Sequence, residues 1–219
     1  MKRDWWKWLL GIWMTVMILG AFLYTPVAKG LGQTTRVLYF HVPSAWVATL
    51  SFFISALYSI RYLQKQNIVY DIWAASSAQI GFMFTVLATV TGSIWAKEIW
   101  QSYWNWDPRE TSIFVLLLIY AAYFALRSAI EEKNQKARLA AVYSILAFVT
   151  VPFLVFVIPR IYDSLHPDPL INPERKIKMD PRMLQVFLGS LFGFTVLFYW
   201  ILRIKTEIEF LKLKLSKRM

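Results

Sequence analysis

An all-α membrane protein with six spans is what this sequence predicts, and three observations carry the prediction. Of its 219 residues 58% are hydrophobic, and the mean hydropathy is +0.45, too apolar for an ordinary soluble fold. Apolar runs lie near 8–25, 42–60, 72–94, 111–126, 139–158 and 183–202, each close to the ~20 residues an α-helix needs to cross a bilayer core. The charges fall at the edges of those runs or between them, as expected where an unpaired charge at the helix centre costs about 2.5 kcal/mol or more. The whole chain, 1–219, reads as one six-helix transmembrane domain.

Taken in order, the first run follows Lys2, Arg3 and Lys7 as a signal peptide would, but no small-residue cleavage pattern follows it. It is read as a retained helix. The second run opens just after His41. The third leads into WAKEIWQSYWNWDPRET, residues 95–111. As a helix, this segment places Trp95, Ile99, Trp100, Tyr103 and Trp104 on one face and Lys97, Glu98, Gln101, Ser102 and Asn105 largely elsewhere, which predicts a short amphipathic helix lying in the membrane interface over 95–110. Asp107 suits an N-cap for the fourth span, with Pro108 in its first turn and Glu110 at the third position. Asp180-Pro181-Arg182 repeats the pattern before the sixth span, so helix capping is the plain role for both aspartates.

The loop 160–182 carries Pro167, Pro169, Pro173 and Pro181 and is not a regular helix throughout. Its length would let His166 swing during ligand loading and release. Beyond the sixth span, Ile204, Ile208, Leu211 and Leu215 alternate with basic residues at helical spacing. That tail is expected to extend the last helix into the cytoplasm and lie along anionic lipid, with partner docking the less favoured alternative.

With six spans both termini share a side. The N-terminus (Lys2, Arg3, Lys7), the 61–71 and 127–138 loops and the tail together hold more Lys and Arg than the connections on the other side. The positive-inside rule therefore places both termini in the cytoplasm. The tryptophan-rich segment and both histidines of the chain, His41 and His166, then share the extracytoplasmic face. The chain has no cysteine, which excludes disulfides and thiolate metal sites. Its net charge of +11 is read through this sidedness, as a matter of lipid contact rather than nucleic-acid binding.

One or two aromatic anchors suffice for an interfacial helix, whereas Trp95, Trp100, Tyr103, Trp104 and Trp106 form a surplus. An apolar platform of that breadth suits a planar ligand, for which haem, a quinone and a lipid acyl surface are candidates. The histidines discriminate among these. Neutral imidazole is a standard axial ligand of haem iron, and two imidazoles would complete its coordination, whereas quinone and lipid need no such pair. Each histidine alone could equally be a structural, hydrogen-bonded residue. Ionised propionates call for a cationic fork, and Arg109 is favoured over Arg36 for that role, either of which could instead face solvent or lipid phosphate.

RVLYFHVPSAW (36–46), TGSIWAKEIWQSYWNWDPRETS (91–112) and IYDSLHP (161–167), together with the six spans, make the chain resemble the haem-handling membrane proteins of cytochrome c biogenesis. Within that superfamily it is most similar to the cytochrome c maturation protein C family. The resemblance covers nearly the whole chain. It implies a multi-pass protein of the cytoplasmic (inner) membrane that binds haem b non-covalently and transiently on its periplasmic face. His41 and His166 would be the axial ligands, and Trp95, Trp100, Tyr103, Trp104, Trp106, Asp107 and Arg109 would form the haem-binding segment. It implies transfer rather than catalysis, with haem presented to a membrane-anchored haem chaperone beside a small single-helix subunit and an ATP-binding-cassette transporter pair. Ala96 and Gln101 stand where the family commonly has glycine, and Tyr103 where tryptophan is frequent. The ending WDPRET is closer to larger synthase-type relatives, so the alternative is a subunit of a system that attaches haem to apocytochrome c. A structural assembly subunit without a ligand is the third reading.

Overall fold

The computed structural model describes residues 4–166 and 176–216. Lys2, Arg3, Pro167, Pro169 and Pro173, and the basic residues Arg175, Lys217 and Arg218 of the same loop and tail, lie outside the described residues. Among the described residues there are six helical stretches long and apolar enough to span a membrane, and the architecture is all-α.

The first stretch is α1 (Trp5–Leu19), prolonged by a π-helical turn at Gly20–Tyr24. It packs along the last helix, with 11% of its apolar window buried. A 3₁₀ turn at Gln33–Val37 feeds α2 (Leu38–Lys65), and α3 runs unbroken over Ile68–Trp100. After a non-helical segment come α4 (Pro108–Ala129) and α5 (Lys133–Pro152). A π turn at Phe153–Val157 then leads into the short α6 (Ile158–Ile161). The last helix, α7, spans Pro181–Ser216 without interruption.

The antiparallel pair α2 and α3 forms the centre. Gly81 lets the two approach, for a Cβ there would lie 2.6 Å from the Phe52 ring, and Phe52 stacks on Tyr120 of α4 at 3.5 Å. Buried serines bridge helices: Ser77 donates to the Ser51 carbonyl at 2.8 Å, and Ser55 meets Ser144 at 3.0 Å. In lipid, where apolar burial gives no drive for helices to associate, such small-residue contacts and hydrogen bonds of roughly 0.6 kcal/mol each hold the bundle. At one end Arg127 and Asp71 form a two-pronged ion pair at 2.6 and 2.9 Å. Trp6 packs on Tyr199 and Trp200, so the start of α1 and the later part of α7 lie at the same end of the bundle.

One expectation is corrected here. The tryptophan-rich segment is not a separate interfacial helix: Trp95–Trp100 are the last turns of α3, and 101–107 is non-helical. Gln101 ends the helix in the left-handed region, φ 60°, where its N–H bonds the Lys97 carbonyl. Glycine adopts that conformation without a Cβ clash, whereas glutamine bears about 1–2 kcal/mol of strain. Trp106 takes the same region, φ 60°, and turns the chain into α4.

Candidate functional site

At the end of the bundle away from Trp6 and Trp200, the last turns of α3, the start of α2, Leu31 and the 165–166 segment line a cavity of about 60 Å³. His41 and His166 both line it, with Trp95, Trp100, Gly92 and Leu165. The two histidines of the chain, 125 positions apart by number, thus share one space.

His41 is the fourth residue of α2, within the helix rather than before it. Its ring rests against α3 at Gly92, where a Cβ would lie 2.9 Å from Cε1, and stands edge-on to Trp95 at 5.9 Å. Nδ1 is 3.1 Å from the Thr91 hydroxyl. That hydroxyl donates its own hydrogen to the Leu87 carbonyl at 2.8 Å, so its oxygen accepts from Nδ1–H. The proton is thereby placed on Nδ1, and Nε2 keeps its lone pair.

His166 is fixed in the same sense by a different device. Its Nδ1 lies 3.0 Å from Oδ1 of Asp107, and its ring meets Trp100 edge-on at 4.8 Å. The carboxylate also accepts from the N–H of Arg109 at 2.9 Å and of Leu165 at 2.8 Å, and from the Ser164 hydroxyl at 3.0 Å. One buried carboxylate therefore caps α4, as its sequence position predicts, and also docks the 164–166 segment. A carboxylate on Nδ1 is the usual outer support of a metal-ligating histidine, because it fixes the tautomer and raises the basicity of Nε2. Burial pushes the Asp107 carboxyl up; the N–H groups of Arg109 and Leu165, His166 and the Ser164 hydroxyl outweigh it and hold the group below its ordinary range. Glu110 reaches back to accept from the Asn105 N–H at 2.8 Å, two residues upstream of where a capping box would close.

The platform is divided rather than continuous. Trp95 and Trp100 line the cavity, while Trp104 packs with Trp106 and Phe114 in a separate group at 5.8 and 6.2 Å. Tyr103 and Trp106 are exposed, 61% and 67%. Arg109, the second residue of α4, lies outside the cavity lining. Arg36 is committed elsewhere, donating to the carbonyls of Ala21 and Thr25 and to the Thr25 hydroxyl. Sequence reasoning assigned no role to Thr91, Gly92 or Ser164. Thr91 and Gly92 stand four and three residues before Trp95, on its helix face, which is the one signal that could have found them.

Two imidazoles, each with Nδ1 engaged by a neighbouring side chain and each beside an indole, fit the donor set of a haem iron. The cavity has room for a few waters but not for a porphyrin, so a haem would have to part the walls formed by Leu31 and Leu165, both on non-helical segments.

The chain is similar to known proteins along most of its length. The family model described as Heme exporter protein C matches residues 1–219. The chain is 31% identical to Heme exporter protein C of Bradyrhizobium diazoefficiens over 188 residues, covering 84% of this chain and 71% of that one. Against the Rhodobacter capsulatus protein of the same name it is 31% identical over 199 residues, 90% and 82% of the two chains. The Escherichia coli K12 counterpart is 30% identical over 187 residues, 84% and 74%.

Proposed function

Because the chain belongs to the Heme exporter protein C family, we propose that the His41–His166 cavity receives haem and that the protein presents it for cytochrome c biogenesis. The role in haem handling, the multi-pass placement in the inner membrane and work within a larger assembly follow the family. The finer reading is that haem is cargo, held on the periplasmic face and passed to a membrane-anchored haem chaperone, beside a single-helix subunit and the transporter pair. Transfer, not catalysis, is the activity.

The observation that carries this is the matched state of the two imidazoles. Thr91 and Asp107 each engage an Nδ1, and both rings line the same cavity. His41 is fixed on a helix, whereas His166 sits on a non-helical segment held to Asp107. Such an arrangement favours a cargo gripped by one rigid ligand and released by displacing the other. Trp95 and Trp100 would flank the porphyrin edge, and Arg109, one residue from the end of that segment, is the propionate donor proposed.

Absorption spectroscopy of the purified protein tests the reading. A bis-imidazole Soret and α/β spectrum is expected, lost or shifted in His41→Ala and in His166→Ala. Unchanged spectra in both variants remove the ligand assignment.

A further inference from the structure

Tyr199 and Trp200 of α7, with Trp6 of α1, form a small aromatic belt; the Lys7 ammonium lies 5.6 Å from the Trp200 ring and the Arg203 guanidinium 6.0 Å from that of Tyr199. Aromatic rings with snorkelling cations mark the boundary of the hydrocarbon. The helix does not end there. Residues 204–216 continue α7 in unbroken α-helix, about 20 Å further at ~1.5 Å per residue. Turning that segment onto the membrane surface would need a kink, and kinks require a proline, a glycine pair or a π-bulge. None occurs in 204–216.

Two opposite faces of this extension are distinguishable. Leu202 and Thr206 are buried against the bundle. On the other side Ile204, Ile208, Leu211 and Leu215 are exposed by 45%, 46%, 59% and 60%, at spacings of four, three and four. That is the a/d spacing of a coiled coil, uncovered by the chain's own described residues. The residues flanking the seam are Lys205 and Lys212 on one side, Glu207 and Lys214 on the other.

We propose that this seam of α7 docks one acidic amphipathic helix of a partner protein, coiled against it beyond the membrane boundary. Charge selects the occupant. Across the segment Arg203, Lys205, Lys212, Lys214, Lys217 and Arg218 outnumber Glu207 and Glu209, so a second copy of this chain brings like charge, whereas glutamates at the flanking positions of a partner meet lysines. Lipid is the other apolar cover, and the unbroken helix carries the seam away from it. The proposal is independent of the haem reading, since the cavity lies at the opposite end of the bundle.

The chain has no cysteine, so Ser216→Cys gives a single labelling position in the full-length protein held in nanodiscs. The probe is a synthetic helical peptide with Leu and Ile at its a and d positions and Glu at its e and g positions. Saturable, micromolar binding is expected. It should weaken at least tenfold in Ile208→Gln/Leu211→Gln, and at least tenfold when the peptide's glutamates are replaced by lysines. Equal binding of both peptides, or of the double variant, overturns the proposal. So does a label already buried in nanodisc lipid, or efficient disulfide dimerisation of Ser216→Cys in liposomes, which would assign the seam to the membrane or to a second copy.

Discussion

Nδ1 of His166 lies 3.0 Å from Oδ1 of Asp107, and the same oxygen accepts the N–H of Arg109 in the first turn of α4. Cap and histidine support are therefore one group. Asp107→Asn keeps the shape but turns one acceptor into a donor facing other donors. Haem affinity should fall about 10- to 100-fold, the usual cost of losing the outer partner of a metal-bound histidine. Haem titration, with circular dichroism showing retained helix, checks this; unchanged affinity would mean that Asp107 serves α4 alone.

Acid should undock the 164–166 segment within a defined window. The Asp107 carboxyl is held below its ordinary value of 3.8, so its contribution to docking is fully present above about pH 4 and is lost only as pH falls through the lower folded value. Hydrogen exchange at the Leu165 amide, corrected for intrinsic rates, should remain slow from pH 7 to pH 4 and quicken below. Loss of protection already at pH 5–6 would point to a different group.

Gly92→Ala is expected to displace the His41 ring, because the new Cβ would lie 2.9 Å from Cε1 and 3.5 Å from Nδ1. The imidazole must shift off Thr91. Weakened iron ligation with a melting temperature within a few degrees of wild type is the predicted pair of results. Electron paramagnetic resonance of the haem-loaded variant reads the first and thermal unfolding in detergent the second.

The split between the indoles predicts a split in phenotype. Trp100 lines the cavity beside His166, whereas Trp104 packs on Trp106 and Phe114. Trp100→Ala should lower haem retention through gel filtration several-fold, and Trp104→Ala should leave retention of already bound haem near wild type. Equal losses would restore a single platform.

At the other end, Asp71 and Arg127 have side chains only 10% and 17% exposed. Removing one partner strands the other charge, so Asp71→Asn should destabilise the fold by about 3–5 kcal/mol. Asp71→Leu/Arg127→Leu should recover much of that loss. Thermal inactivation of both variants in detergent measures the difference, and the haem spectrum of the surviving folded protein should not change.

Much of this was legible in the residues. The six apolar runs correspond to six helices, and the even span count alone brought His41 and His166 to one face. Asp107 and Pro108 open α4 in the positions their chemistry suggests. Periodicity could not tell a new helix at Trp95 from the continuation of α3, since both have the same period, and Gln101 ends the helix without the glycine that usually announces a stop. The supports of the histidines were hidden for another reason. Thr91 and Asp107 meet partners 50 and 59 positions away by number, and nothing local in a sequence records which distant hydroxyl or carboxylate a ring nitrogen will find.

Arg36 joins the helix least embedded in the bundle to the roof of the cavity. Its guanidinium grips the Ala21 and Thr25 carbonyls at the end of the first span, its own 3₁₀ turn follows Leu31 by a few residues, and Thr34 in that turn receives the Trp95 indole N–H at 3.2 Å. A sideways push on the first span, from bilayer or neighbour, thus has a polar route through Arg36, beside the Phe22–Phe40 and Ala21–Tyr39 packing, to the turn that holds Trp95 next to the two imidazoles.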